Sequence, residues 1–236
     1  MVIFKGLVEV IIVKNQVNDF ISEGGIVLTK KERALKICEL LKIIYPEAVC
    51  QLNADTPFQL LVATRLSAQC TDARVNLVTP ALFQKYPTEN ELAEAPIEDV
   101  EKLIHSCGFY HGKARDLVGM AIAVRDTYNG KLPDTIEELT KLPGVGRKTA
   151  NLIVGDVYKK PAVVADTHVI RITNLLGLTD SKDPKKVELQ LKKILPPEES
   201  NDFCHRIVLH GRAVCIARRP RCAECILKDV CKGRKG

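Results

Sequence analysis

The sequence predicts an all-α fold, on three observations. Apolar residues recur at helical spacing, as at Ile37, Leu40, Leu41 and Ile44; hydroxyl and carboxylate residues stand where helices would be capped; and no alternating strand pattern of any length follows the first dozen residues. The first apolar face stops at Pro46. Thr56-Pro57 reads as an N-cap followed by proline at the first helical position, opening a helix through Ser67. Thr71 caps the next segment, in which Pro80 must either kink the helix or divide it in two. Thr88, Ala95-Pro96, and the stretch from Lys113 to Tyr128 ended by Gly130, mark three more. Asp134-Thr135 starts a short helix ending near Leu142, and further helices are expected at about 147–158, 167–175, 184–194 and 198–211. No repeat, low-complexity stretch or flexible linker separates these elements, so any domains must pack directly.

Composition narrows the class. With 236 residues and 46% of them apolar, the chain can bury a sizeable core, which excludes wholesale disorder. The net charge of +6 is a mild basic excess, and its distribution says more than its size. From Arg212 to Gly236 there are eight Lys or Arg against Glu224 and Asp229, the footprint of a phosphate-binding edge or of a solvated end. Nothing resembles a cleavable signal peptide, and the apolar run Leu7 to Val13 is interrupted by Glu9 and too short to span a bilayer. The expectation is a cytoplasmic protein without a membrane partner. Residues 1–26 read as an N-terminal extension unlike the helical remainder. Glu23-Gly24-Gly25 matches what a purine-rich ribosome-binding site would encode, so translation is expected to begin at Val27 or Leu28.

Nine cysteines in a reducing compartment point away from disulfides. Cys38, Cys50, Cys70, Cys107 and Cys204 are scattered, as small core residues are. The other four form Cys215-x6-Cys222-x2-Cys225-x5-Cys231, four thiols within seventeen residues. Soft sulfur ligands select zinc or iron–sulfur. A zinc knuckle normally offers two close pairs, and this spacing contains one.

The richest stretch is Leu142-Pro143-Gly144-Val145-Gly146-Arg147-Lys148-Thr149-Ala150. Two glycines after a proline permit a tight turn into a new helix at Arg147, which directs consecutive backbone N–H groups outward as an anion site suited to phosphate. Gly144, Val145, Gly146 and Arg147 are therefore candidate DNA contacts of the kind that position a duplex without reading it. Lys148 falls in the first turn of that helix, beside Arg147, where cations are disfavoured unless a nucleophilic amine is wanted. Asp166, in Val163-Val-Ala-Asp166-Thr-His168, precedes a helix as its N-cap and is also a carboxylate on an apolar approach to a cleft.

LPGVGRKTA, followed by VADTHV and a terminal four-cysteine block, resembles the endonuclease III family of helix-hairpin-helix DNA glycosylases, from about residue 28 to 233. The resemblance implies two helical domains flanking a DNA-binding cleft: 50–160, a six-helix domain with the hairpin, and 27–49 plus 161–236, a cluster domain. It implies that Lys148 is the Schiff-base lysine, that Asp166 is the essential aspartate, and that Cys215, Cys222, Cys225 and Cys231 hold a [4Fe-4S] cluster. Related adenine-excising enzymes, which only hydrolyse the base, lack the lysine. The implied activity is a bifunctional DNA N-glycosylase and AP lyase of base-excision repair, acting on oxidised pyrimidines in double-stranded DNA and on abasic sites, as a monomer. Ser67-Ala68-Gln69-Cys70-Thr71-Asp72 matches a family segment whose glutamine, here Gln69, fills the space left by a flipped nucleotide. Gly108-Phe109-Tyr110 matches a loop with an apolar wedge, here Phe109. The family often has leucine at the wedge and alanine at position 70, so Phe109 and Cys70 are departures. Arg218, Arg219 and Arg221, between the first two cysteines, are expected to meet phosphate. A same-fold glycosylase specialised for mismatches, or a catalytically silent DNA-binding protein, are the rival readings.

Overall fold

The computed structural model describes residues 28–233, so the expectations for residues 1–26 lie outside the described residues. Those described form an all-α protein, with α-helices, short 3-10 turns and no strand among them. Helix α1 (Lys30–Ile44) starts at a capping box, in which the Thr29 hydroxyl accepts from the Glu32 backbone N–H and Glu32 accepts from that of Thr29. Its buried face carries Ile37, Leu40 and Leu41, whereas Ile44, expected on that face, is exposed at the helix end.

Seven α-helices lie between residues 50 and 160, as many as the sequence signals mark and one more than the six-helix domain the resemblance implies. They are α2 (Pro57–Leu66), α3 (Asp72–Lys85), α4 (Glu89–Ala93), α5 (Ile97–Ile104), α6 (Tyr110–Tyr128), α7 (Ile136–Leu139) and α8 (Arg147–Asp156). Threonines 56, 71, 88 and 135 each accept from a first-turn N–H, so the capping signals locate these starts. Pro80 does not divide α3. It sits on the exposed side, while Val75, Val78, Thr79 and Leu82 hold the opposite face in the core. Helix α6 starts three residues before Lys113, because Phe109 enters it from a left-handed conformation and not from a capping residue.

Three helices complete the chain: α9 (Thr167–Leu175), α10 (Pro184–Ile194) and α11 (Ser200–Ala213). The first two match the expected ranges, and α11 is displaced by two residues because the 3-10 turn Pro197–Glu199 precedes it. Helix α1 returns to pack on α10 and α11, and α9 lies on α11. Helix α8 touches α2, α7 and α11. That placement puts the start of α8 at the edge of a cleft lined by segments from 49–72, 148–168 and 204–212.

Candidate active site

The hairpin before α8 uses its glycines differently. Gly144 has φ +72°, and a Cβ there would lie 2.6 Å from the Arg65 Nε and 2.8 Å from Asp116. Those two side chains form an ion pair (Arg65 Nε to Asp116 Oδ2, 2.8 Å) on which the turn rests, so Gly144 serves both conformation and packing. Gly146 has an ordinary extended backbone and open space where a side chain would be. It is the N-cap of α8, and no side chain caps the helix. The first-turn N–H groups therefore face open space at the positive end of the helix, an arrangement that accepts an anion. Val145 contributes differently than expected: its side chain is buried, and its N–H donates to the Leu142 carbonyl at 3.1 Å.

Arg147 requires a correction. Its guanidinium donates through Nε to Glu188 Oε2 at 2.6 Å and through Nη2 to Oε1 at 2.8 Å. The Glu188 carboxylate is buried and also receives Lys192 and Asn151. Arg147 is thus neither a free phosphate contact nor an uncompensated cation beside Lys148. What it can offer a phosphate is its backbone N–H.

Lys148 is exposed, carries no ion pair among the described residues, and lines a cleft of about 250 Å³. Asp166 lines the same cleft, with His168, His205, Asp72 and Arg212. Asp166 caps α9, one of its oxygens accepting from the Val169 N–H at 2.7 Å, so its backbone and carboxylate are fixed. Burial pushes the pKa of His168 below its ordinary value; Asp166 opposes this, while Arg171, Arg212 and Lys148 add to it. Asp72 and Arg212, 140 residues apart, join at 2.7 Å across the mouth. Asp156, outside the cleft, holds the His205 ring through Nε2 at 2.8 Å. Asp72 closes the segment singled out in the sequence, but its pairing with Arg212, and that of Asp156 with His205, was not legible before folding.

Gln69 and Phe109 do not line that cleft. Both are exposed, and both are non-glycine residues in the left-handed region, at φ 53° and 49°. Such a backbone is strained for these residue types and persists where surrounding contacts impose it. Cys70, next to Gln69, reaches the cleft wall.

Cys215, Cys222, Cys225 and Cys231 are free thiols that line one cavity of about 220 Å³. Among the described residues no three His, Cys, Asp or Glu side chains converge tightly enough to hold a single ion. A lone zinc needs sulfurs at about 2.3 Å. The thiols instead surround a space suited to a larger, thiolate-bound group, so these residues fit an iron–sulfur cluster. Arg171 closes one side, donating through Nη2 to the Cys215 carbonyl at 2.7 Å, with Nη1 3.6 Å from the Cys215 sulfur. Helix α9 therefore runs from Asp166 at the cleft to Arg171 at the cysteines. Arg218 and Arg219, on the loop between the first two cysteines, are exposed without ion pairs among the described residues, whereas Arg221 lies 3.6 Å from Glu224.

Comparison with known proteins agrees with this arrangement. Residues 62–197 match the family described as HhH-GPD superfamily base excision DNA repair protein, and residues 215–231 match the iron–sulfur binding domain of endonuclease III. Endonuclease III of Synechocystis sp. is 48% identical over 204 residues, covering 86% of this chain and 93% of that one. A solved trapped endonuclease III–DNA covalent intermediate, in an estranged-adenine complex, superposes with a TM-score of 0.82 at 42% identity, covering 88% of this chain and 97% of that one. A thermostable thymine-DNA glycosylase shares the fold, with a TM-score of 0.75 at 21% identity over 85% of this chain and 95% of that one.

Proposed function

Since the chain belongs to the HhH-GPD superfamily of base excision DNA repair proteins, in its endonuclease III branch, we propose that it is a bifunctional DNA N-glycosylase and AP lyase whose nucleophile is Lys148. One observation carries this reading: a lysine without an ion pair among the described residues and a fixed carboxylate share a cleft beside a helix start that no side chain caps. The hairpin N–H groups hold the backbone of the damaged strand, and the lesion is flipped out because C1′ is inaccessible within the duplex. The neutral amine of Lys148 attacks C1′, the bond from C1′ to the base breaks, and the base leaves with a proton. Asp166 faces the positive charge that develops on the sugar. Ring opening gives an imine between C1′ and Lys148, loss of a C2′ proton expels the 3′ phosphate, and hydrolysis of the imine returns the lysine.

Cys215, Cys222, Cys225 and Cys231 would hold the [4Fe-4S] cluster, and their binding to it would fix both ends of the Arg218–Arg219 loop to the body of the protein. The same reading divides the chain into residues 50–160 and residues 27–49 with 161–236, with the cleft at their boundary, and takes the monomer as the active unit on double-stranded DNA. No helix among the described residues is long and apolar enough to cross a membrane. Borohydride should trap a protein–DNA adduct on duplexes carrying oxidised pyrimidines. A lesion panel in which only mismatched thymine is trapped would overturn that substrate class in favour of a mismatch enzyme, and no adduct on any substrate would overturn the lyase.

A further inference from the structure

Lys113 is 1% exposed, the most deeply buried of the described lysines, and no carboxylate among the described residues neutralises it. Its ammonium donates to the Leu66 carbonyl at 2.8 Å and to the Cys107 carbonyl at 2.9 Å. Leu66 ends helix α2, three residues before Gln69. Cys107 ends the 3-10 turn His105–Cys107, two residues before Phe109. A buried cation without an acid costs free energy unless its surroundings supply negative potential, and here the carbonyl ends of two helical segments do so. The two loops touch again through their thiols: burial, with the adjoining Cys70 thiol adding to it, pushes Cys107 up to about 11. Lys113 itself belongs to α6, whose buried face includes Ala114, Leu117 and Met120, so the tether is anchored in the core. Nothing in the chemistry at Lys148 uses this residue.

From this geometry we infer that Lys113 is a positioning residue that holds the Gln69 and Phe109 loops at a fixed separation, so that both side chains enter an opened base pair together. The inference rests on the reading of Gln69 and Phe109 as the residues that fill the duplex. Two wedges on independent loops would each have to find the gap; two wedges on one buried ammonium are presented as a unit, with their left-handed backbones already imposed. The benefit is confined to substrates that must be unstacked. A single strand has no partner base and no stack to open, so it gains little from paired wedges.

The test compares single-turnover cleavage of an abasic site in duplex and in single-stranded DNA by the full chain with its cluster. In Lys113→Met the ratio of duplex to single-strand rate should fall tenfold or more, while single-stranded DNA still gives a borohydride adduct. Parallel losses on both substrates would overturn the inference, since a merely structural lysine lowers both alike. An unchanged ratio would overturn it as well. Should the methionine variant not fold, Lys113→Gln, which cannot supply the charge and reaches at most one carbonyl well, takes its place with the same expected ratio. Wild-type protein that forms no adduct on either substrate would instead overturn the lyase reading, and this role with it.

Discussion

Arg147 and Glu188, 41 residues apart, form a two-bond ion pair that clamps the start of α8 to α10, with the carboxylate side chain 3% exposed. The clamp sits one residue before Lys148, so it sets the direction in which the lysine's helix enters the cleft. Glu188→Ala should destabilise the fold by on the order of 2 kcal/mol, at the low end for a buried pair because Arg147 remains more than one third exposed. Denaturant melts measure this, and an unchanged midpoint would reduce the clamp to a surface contact.

The same pair predicts a pH dependence. Burial would raise the Glu188 carboxyl, but hydrogen bonds from Arg147 and Lys192 outweigh it and hold the pKa below the ordinary value. A depressed carboxyl contributes stability that is present above its unfolded value and lost as pH falls through its folded one. Acidification below roughly pH 4.3 should therefore destabilise the wild type more steeply than Glu188→Gln. Thermal melts across that range decide it; equal slopes would remove Glu188 from the acid response.

Lys148→Ala should keep DNA affinity within a few-fold while covalent trapping disappears and strand cleavage falls by on the order of 10³ or more. A variant that still forms a reducible adduct at normal yield would move the nucleophile elsewhere.

Asp166 combines a cap with a charge, and two substitutions separate them. Asparagine caps as well as aspartate, so Asp166→Asn should melt like the wild type yet lose on the order of 10² or more in excision rate. Asp166→Ala should in addition lose about 1 kcal/mol of stability. Normal excision by the asparagine variant would leave Asp166 as a cap alone.

Purified protein should carry about four irons per chain. Cys222→Ser should lose them, while Cys38→Ser should not. With iron retained, changing Arg218, Arg219 and Arg221 to Gln should flatten the dependence of log affinity on log salt by about 0.9 for each phosphate no longer neutralised. The expected change is about 1.8 if Arg221 stays with Glu224 and about 2.7 if it does not. An unchanged slope would leave the loop without a role in DNA binding.

The sequence by itself determined the helical class, most helix starts, the hairpin, and the four cysteines as one group. These features are decided within a few residues: a hydroxyl caps an N–H two or three positions on, a glycine relieves a turn locally, and thiols close in sequence cannot be far apart in space. Thr56, Thr71, Thr135 and Asp166 cap as their positions imply. Tertiary structure alone decided which charges meet. Arg147 reads as a free cation until α10 places Glu188 against it, and Lys113 reads as an ordinary helical lysine until two carbonyl ends converge on it. A weak signal for Lys113 was available, since it occupies the buried face of α6 with Leu117 and Met120. Its partners were not legible, because the carbonyls it holds lie 47 and 6 residues away and are brought together only by how α2, α6 and the turn before Phe109 pack. The left-handed backbones of Gln69 and Phe109 have the same origin: neither residue prefers that conformation, so only contacts made after the helices pack can hold it.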